Sequence, residues 1–292
     1  HARLLPPFLL RSERTRGWEV SVKWNDRIGN DFSYDLGFIL SDSQAEITKY
    51  ENPSGTLSDY YVGQKIGEIW GYETEGFYQS DTDVQNHADQ SKLGANWAPG
   101  DIMYKDLDGN KKINNGSNTL DDHGDLKVIG NTTPRYQYGI TANMSYKNVY
   151  LNVFFQGIGK RDFWPSSQPF WPVATQYYNT QKWFVTDSWS EDNRDAYFAR
   201  PIARETKNQQ KQTKYLQDAS YCRLKNLTVG YDFPKSWLSF LHVAKAGVYF
   251  SAENLFEFTN VKGAYDPEAA GKNGTMVYPF QRTYSFGLNV TF

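Results

Sequence analysis

Apolar and small or polar residues alternate without a break along the last stretch of this chain. Tyr284, Phe286, Leu288, Val290 and Phe292 are apolar, and Ser285, Gly287, Asn289 and Thr291 stand between them. Successive side chains of a strand point to opposite faces, so one face here is bulky and apolar and the other hydrophilic. At the end of a chain this suits the closing strand of an outer-membrane barrel, with lipid on one side and a polar lumen on the other. The five apolar residues are therefore expected to face the membrane.

The alternation recurs upstream. Trp18, Val20, Val22 and Trp24 form one set, and Phe32, Tyr34, Leu36, Phe38 and Leu40 a second. Tyr136, Tyr138, Ile140, Ala142 and Met144 form a third, and Val149, Leu151, Val153 and Phe155 a fourth, with Tyr150 and Phe154 blurring its polar face. Leu227, Val229, Tyr231 and Phe233 close a strand whose upstream half, residues 221–225, is out of phase, so a bulge is expected near Asn226. Ala246, Val248, Phe250 and Ala252 complete the sets before the terminal one. The pattern predicts an all-β chain with about seven membrane strands.

The connections alternate too. Short turns are expected at residues 25–31 and 146–148 and a somewhat longer one at 234–243, whereas residues 41–134, 158–218 and 259–281 form long segments. Loops above about 12–15 residues are uncommon in compact domains. Bacterial barrels combine short periplasmic turns with long extracellular loops. A final strand running inward puts every long segment outside. Single-chain bacterial barrels mostly have even strand numbers, so seven strands need the rest of a longer parent to close.

Composition agrees with this reading. The chain has 292 residues, 39% hydrophobic and 16% aromatic, with a mean hydropathy of -0.69. Nothing approaches the ~20 consecutive apolar residues of a spanning helix, whereas a membrane strand needs only about 9–11 residues, every second one apolar. The 21 Tyr, 18 Phe and 9 Trp suit interfacial aromatic girdles, and would equally suit a carbohydrate-binding sandwich. A net charge of -2 gives no electrostatic case for nucleic acid. The single Cys222 excludes an internal disulfide and a cysteine-built zinc site. The chain opens on His1 with no signal peptide, and is expected to be the C-terminal piece of something longer.

A series of motifs carries a family resemblance. Tyr61-Val-Gly-Gln-Lys-Ile-Gly-Glu-Ile-Trp-Gly-Tyr72 comes first, then Pro99-Gly-Asp-Ile102 and Lys105-Asp-Leu-Asp-Gly-Asn110. Val128-Ile-Gly-Asn131, Pro134-Arg-Tyr-Gln-Tyr-Gly139 and Phe154-Phe-Gln-Gly157 follow, then Tyr221-Cys-Arg-Leu-Lys-Asn-Leu227, Glu253-Asn-Leu-Phe256 and Tyr278-Pro-Phe-Gln-Arg-Thr-Tyr284. In this order they resemble the C-terminal third of SusC/RagA-type TonB-linked outer-membrane proteins of the Bacteroidetes. The resemblance covers residues 17–292 and leaves residues 1–16 as an unmatched N-terminal stub. It implies a plugged barrel of about 22 strands, a SusD-like lipoprotein lid, and TonB-driven import of oligosaccharides or peptides across the bacterial outer membrane. The plug and the segment that contacts the TonB complex would belong to the missing N-terminal part.

Asp106-Leu-Asp108-Gly-Asn110-Lys-Lys112-Ile-Asn114 carries the strongest chemical signal. Side-chain oxygens at positions 1, 3, 5 and 9, with the Lys112 carbonyl at 7, copy half of a calcium loop. Lys111 stands where such loops have glycine, and Ser117 where they have an acid. Asp121 or Asp122 would supply the missing carboxylate. The alternative is a surface turn held by its own local hydrogen bonds. No cofactor is required by this reading, and a structural Ca2+ is the one candidate ion.

The 158–218 segment is dense in aromatics, among them Phe163, Phe170, Tyr177, Tyr178 and Phe184. Its Trp164, Trp171, Trp183 and Trp189 are candidates for contact with a ligand or the lid, and the alternative is the loop's own core. The four histidines are scattered, and no pair of carboxylates is marked by a protected pocket, so catalysis is not expected. The rival reading is a soluble, calcium-binding, lectin-like β-sandwich, whose apolar faces would have to meet each other.

Overall fold

The computed structural model describes residues 11–167, 169–174, 179–239, 242–263, 265–270 and 280–292. Tyr177, Tyr178 and the Tyr278-Pro279 pair of the last motif lie outside them, as do the first ten residues of the expected stub. The strands are β1 (Ser12–Ile28), β2 (Phe32–Lys49), β3 (Glu68–Gly71), β4 (Thr74–Phe77), β5 (Ile102–Tyr104), β6 (Lys127–Asn131) and β7 (Arg135–Tyr146). They continue with β8 (Val149–Lys160), β9 (Asp162–Phe163), β10 (Gln217–Asp218), β11 (Tyr221–Asp232), β12 (Lys245–Glu253), β13 (Glu257–Thr259) and β14 (Thr283–Thr291). Short helices α1 (Asp81–Asn86), α2 (Lys182–Thr186) and α3 (Lys235–Leu238) lie in the connections.

One sheet dominates, in the order β1-β2-β7-β8-β11-β12-β14, with β13 pairing the start of β11. Neighbours along that path are antiparallel throughout. The sheet is open, with β1 and β14 as its edges, so the described residues form no closed barrel. Antiparallel order puts the β1–β2, β7–β8 and β11–β12 connections at one end and the three long segments at the other.

Register turns the alternation into two continuous faces. Trp24, Leu36, Ala142, Val153, Leu227, Ala252 and Tyr284 are successive partners across all seven strands. One residue along, Asn25, Asp35, Asn143, Asn152, Thr228, Ser251 and Ser285 form the matching polar row. Among the described residues nothing covers the apolar face of the terminal strand: Phe286 is 82% and Leu288 65% exposed, and Tyr284, Val290 and Phe292 are exposed with them. A sandwich would bury this face, so the lectin-like alternative loses its main support. The bulge expected near Asn226 is a register break between Leu224 and Asn226. Lys225 is the extra residue, so Leu224 and Leu227 both stay on the apolar side.

Several boundaries differ from the sequence expectation. β1 runs on through residues 25–28 and β2 starts at Phe32, which shortens the first turn to 29–31. The opposite ends project further: β2 continues to Lys49 and pairs with β1 back to Ser12, so residues 12–16 of the expected stub are strand. This extension alternates poorly because backbone pairing, not lipid, holds it. Ile47 and Ala45 also exchange backbone bonds with residues 63–66. The turn at 234–243 holds α3.

Candidate functional site

On the polar face the side chains bond across strands. Lys23 pairs with Asp35 at 3.1 Å, Asn143 donates to Asp35 at 3.4 Å, and the Ser33 and Ser145 hydroxyls are 2.7 Å apart. A cleft of about 690 Å3 opens near the short-turn end, lined by Asn25, Arg27, Ser33, Asp35, Asn143 and Asn152 among others. This surface offers hydroxyls, amides and paired charges, and can hydrate a polar passenger or a polar plug.

Toward the long-loop end of the same face lies a dense ion cluster. Arg223, nearly fully buried, donates to Glu257 at 2.8 Å, Asp266 at 2.6 Å and Glu268 at 2.7 Å. Lys225 adds a 3.1 Å pair to Glu268. The two basic residues come from β11, and the acids from β13 and the segment after it. The cluster thus ties the last long loop to the sheet.

The first two long segments fold together. Tyr72, Phe77, Ile102, Tyr104 and Ile113 from the first share a core with Phe170, Trp171, Phe184, Trp189, Phe198 and Tyr215 from the second. Burial pushes the phenols of Tyr104 and Tyr215 well up, so both stay neutral. The Tyr104 hydroxyl donates to the Lys207 carbonyl at 2.7 Å, and Tyr215 accepts from the Ala199 amide at 2.7 Å. Beside the core, Asp101 is fully buried and accepts from Arg200 at 2.8 Å, Lys207 at 2.9 Å and Asn208 at 2.9 Å. Burial raises its pKa, but these three donors outweigh that and hold the carboxyl below its ordinary range.

The four tryptophans are placed by this core. Trp171 and Trp189 are 8% exposed and belong to it, while Trp164 and Trp183 are half-buried against it. Trp171 donates to the Pro165 carbonyl at 2.6 Å, and Trp183 packs on Phe198 with ring centroids 4.6 Å apart. Trp164 also lines a cavity of about 510 Å3.

The acidic loop gathers a different carboxylate from the one expected. Oxygens of Asp106, Asp108 and Asp125 lie within 4.8 Å of one another, whereas Asp121 is exposed and outside this group. Asp125 is buried and accepts from the Leu107 amide at 2.7 Å and the Asn114 amide at 2.9 Å. Asp106 accepts from Gly109 and Lys111, and Asp108 and Asn110 from the amides two residues on. Asn114 turns its amide to the Lys112 carbonyl at 3.0 Å. Lys111 has φ 61°, the left-handed conformation that glycine supplies in calcium loops. No spacing rule over nine residues could have found Asp125, which returns only after residues 115–124 loop out.

Together, an uncovered apolar face, a polar opposite face and long insertions at one end define a segment of a large outer-membrane β-barrel. No family model matches the chain. It is 29% identical over 303 residues to TonB-dependent receptor P3 of Formosa agariphila, covering 95% of this chain and 28% of that protein. It is 24% identical over 290 residues to TonB-dependent receptor SusC of Bacteroides thetaiotaomicron, covering 94% and 26%. In three dimensions it is similar to the structure of the RagAB peptide transporter, with a TM-score of 0.68 and 21% identity over 97% of this chain and 30% of that one. These relatives are TonB-dependent receptors, SusC among them, and the fold is similar to that of the RagAB transporter, in keeping with the motif series of the sequence. The chain spans less than a third of the length of the relatives it matches.

Proposed function

We propose that this chain is the C-terminal part of the barrel of a TonB-dependent importer, which carries oligosaccharides or peptides across the outer membrane. The observation that carries this reading is the pair of register-matched rows, apolar outside and polar inside, across seven strands. Their spacing suits lipid against one face and a hydrated passage along the other. In this reading a SusD-like lipoprotein sits over the long-loop end, and the TonB complex engages the parent's N-terminal part. The chain has no catalytic role of its own. The full-length parent should fractionate with the outer membrane and migrate as a heat-modifiable barrel in detergent gels. Recovery of folded parent in the soluble periplasmic fraction would overturn the proposal.

Within the loops, one Ca2+ is proposed to sit among Asp106, Asp108 and Asp125, with Asn110, the Lys112 carbonyl and Asn114 completing its oxygens. Its role would be to stiffen the loop, since calcium takes 6–8 oxygens and these come from both ends of a 20-residue stretch. Calorimetry on the parent should show one site that D106N/D108N abolishes. A flat isotherm at millimolar calcium removes it.

A further inference from the structure

A cavity of about 510 Å3 lies between the first two long loops. Trp70, Trp164, Asn115, Gln210, Lys92 and Lys211 are among the residues that line it. Both indoles are braced. Trp70 donates Nε1 to the Tyr61 hydroxyl at 3.1 Å and packs on His123 at 5.5 Å. Trp164 leans on Trp171, with centroids 6.0 Å apart. Half-buried and held from one side, they present fixed apolar faces.

The charged residues that line the cavity are all basic. No carboxylate lines the cavity. Lys105, Lys127, Lys207 and Lys225 are all ion-paired in this structure. Among the described residues, Lys92 and Lys211 are in no ion pair, although the Lys92 charge acts on the Asp89 carboxyl, and both are exposed. An indole face takes the C–H face of a sugar ring, amides take hydroxyls, and an unpaired ammonium takes an anion. The volume falls within the ~300–1,000 Å3 usual for ligand pockets. An extended peptide would be held mainly by pairing to a strand edge. Here β3 already pairs with β6, and Tyr72, next in the chain, exchanges backbone bonds with Lys211 at 2.8 Å and Thr213 at 3.1 Å.

We propose that this cavity is a subsite for an anionic saccharide, one bearing a sulfate ester or a uronic carboxylate, at the extracellular end of the barrel. The proposal rests on the import reading for its setting and narrows the substrate class. It is tested by calorimetry on the full-length parent in detergent. The probes are a chondroitin sulfate hexasaccharide, an oligogalacturonate hexamer, maltohexaose and hexaglutamate. At least one anionic glycan should bind about tenfold tighter than maltohexaose, and K92Q/K211Q should remove about that tenfold. W164A should weaken both glycan classes, while the heat-modifiable band of each variant stays unchanged. The subsite is overturned if neither anionic glycan binds, if maltohexaose or hexaglutamate binds as well, or if the double lysine variant binds normally. Fractionation of the same protein separates the two readings: a membrane-resident parent that ignores anionic glycans rejects the subsite alone.

Discussion

Tyr150 lies over Gly230 on the neighbouring strand, where a Cβ would meet the phenol ring at 2.1 Å. The motif repeats one strand further, with Tyr249 over Gly287 at 2.2 Å. Register sets Tyr150, Gly230, Tyr249 and Gly287 in one row of the polar face. The glycines make room for rings that would otherwise stand out into the lumen, and the rings cover backbone that glycine leaves bare. Gly230→Ala should force Tyr150 off its seat and cost about 1–3 kcal/mol. Tyr150→Ala removes the same contact, so the pair should be non-additive by about 0.5–3 kcal/mol in urea unfolding of the detergent-folded parent.

The two faces should respond oppositely to charge. Leu36→Arg puts a guanidinium in the apolar row and should cost about 2–4 kcal/mol if it lies near the bilayer midplane. Asn143→Arg, on the polar row, should be much milder. The yield of heat-modifiable barrel, compared between the two, checks the assignment of inside and outside.

The buried Asp101 makes loop stability depend on acid. Its carboxyl is depressed below the ordinary value of 3.8, so the stabilisation is complete above that value and is lost as pH falls through the folded one. Protease resistance of the loops should therefore fall below about pH 4. Asp101→Asn strands Lys207 and Arg200, and should cost about 3–5 kcal/mol at neutral pH while flattening the acid limb.

Trp171 and Trp189 should behave as core residues. Replacing either by Ala should cost about 3–5 kcal/mol and expose the loops to protease while the barrel still assembles. Loss of ligand or lid binding with fully protease-resistant loops would instead assign them to contact.

The sequence alone determined the seven long strands of the main sheet, their faces and the end at which the long loops gather, because a two-residue period is local and is written along each of them. Even the bulge at Lys225 showed as a phase slip between Leu224 and Leu227. Other features depend on chain segments meeting far apart in sequence. Asp125 joins Asp106 and Asp108, Arg223 reaches Glu257, Asp266 and Glu268, and Tyr104 shares a core with Tyr215. The polar extension of β2 beyond Leu40 carried no apolar period either, since outside the membrane backbone pairing holds a strand without one. Only the tertiary structure decided these, because loop closure and burial select partners that no periodicity encodes.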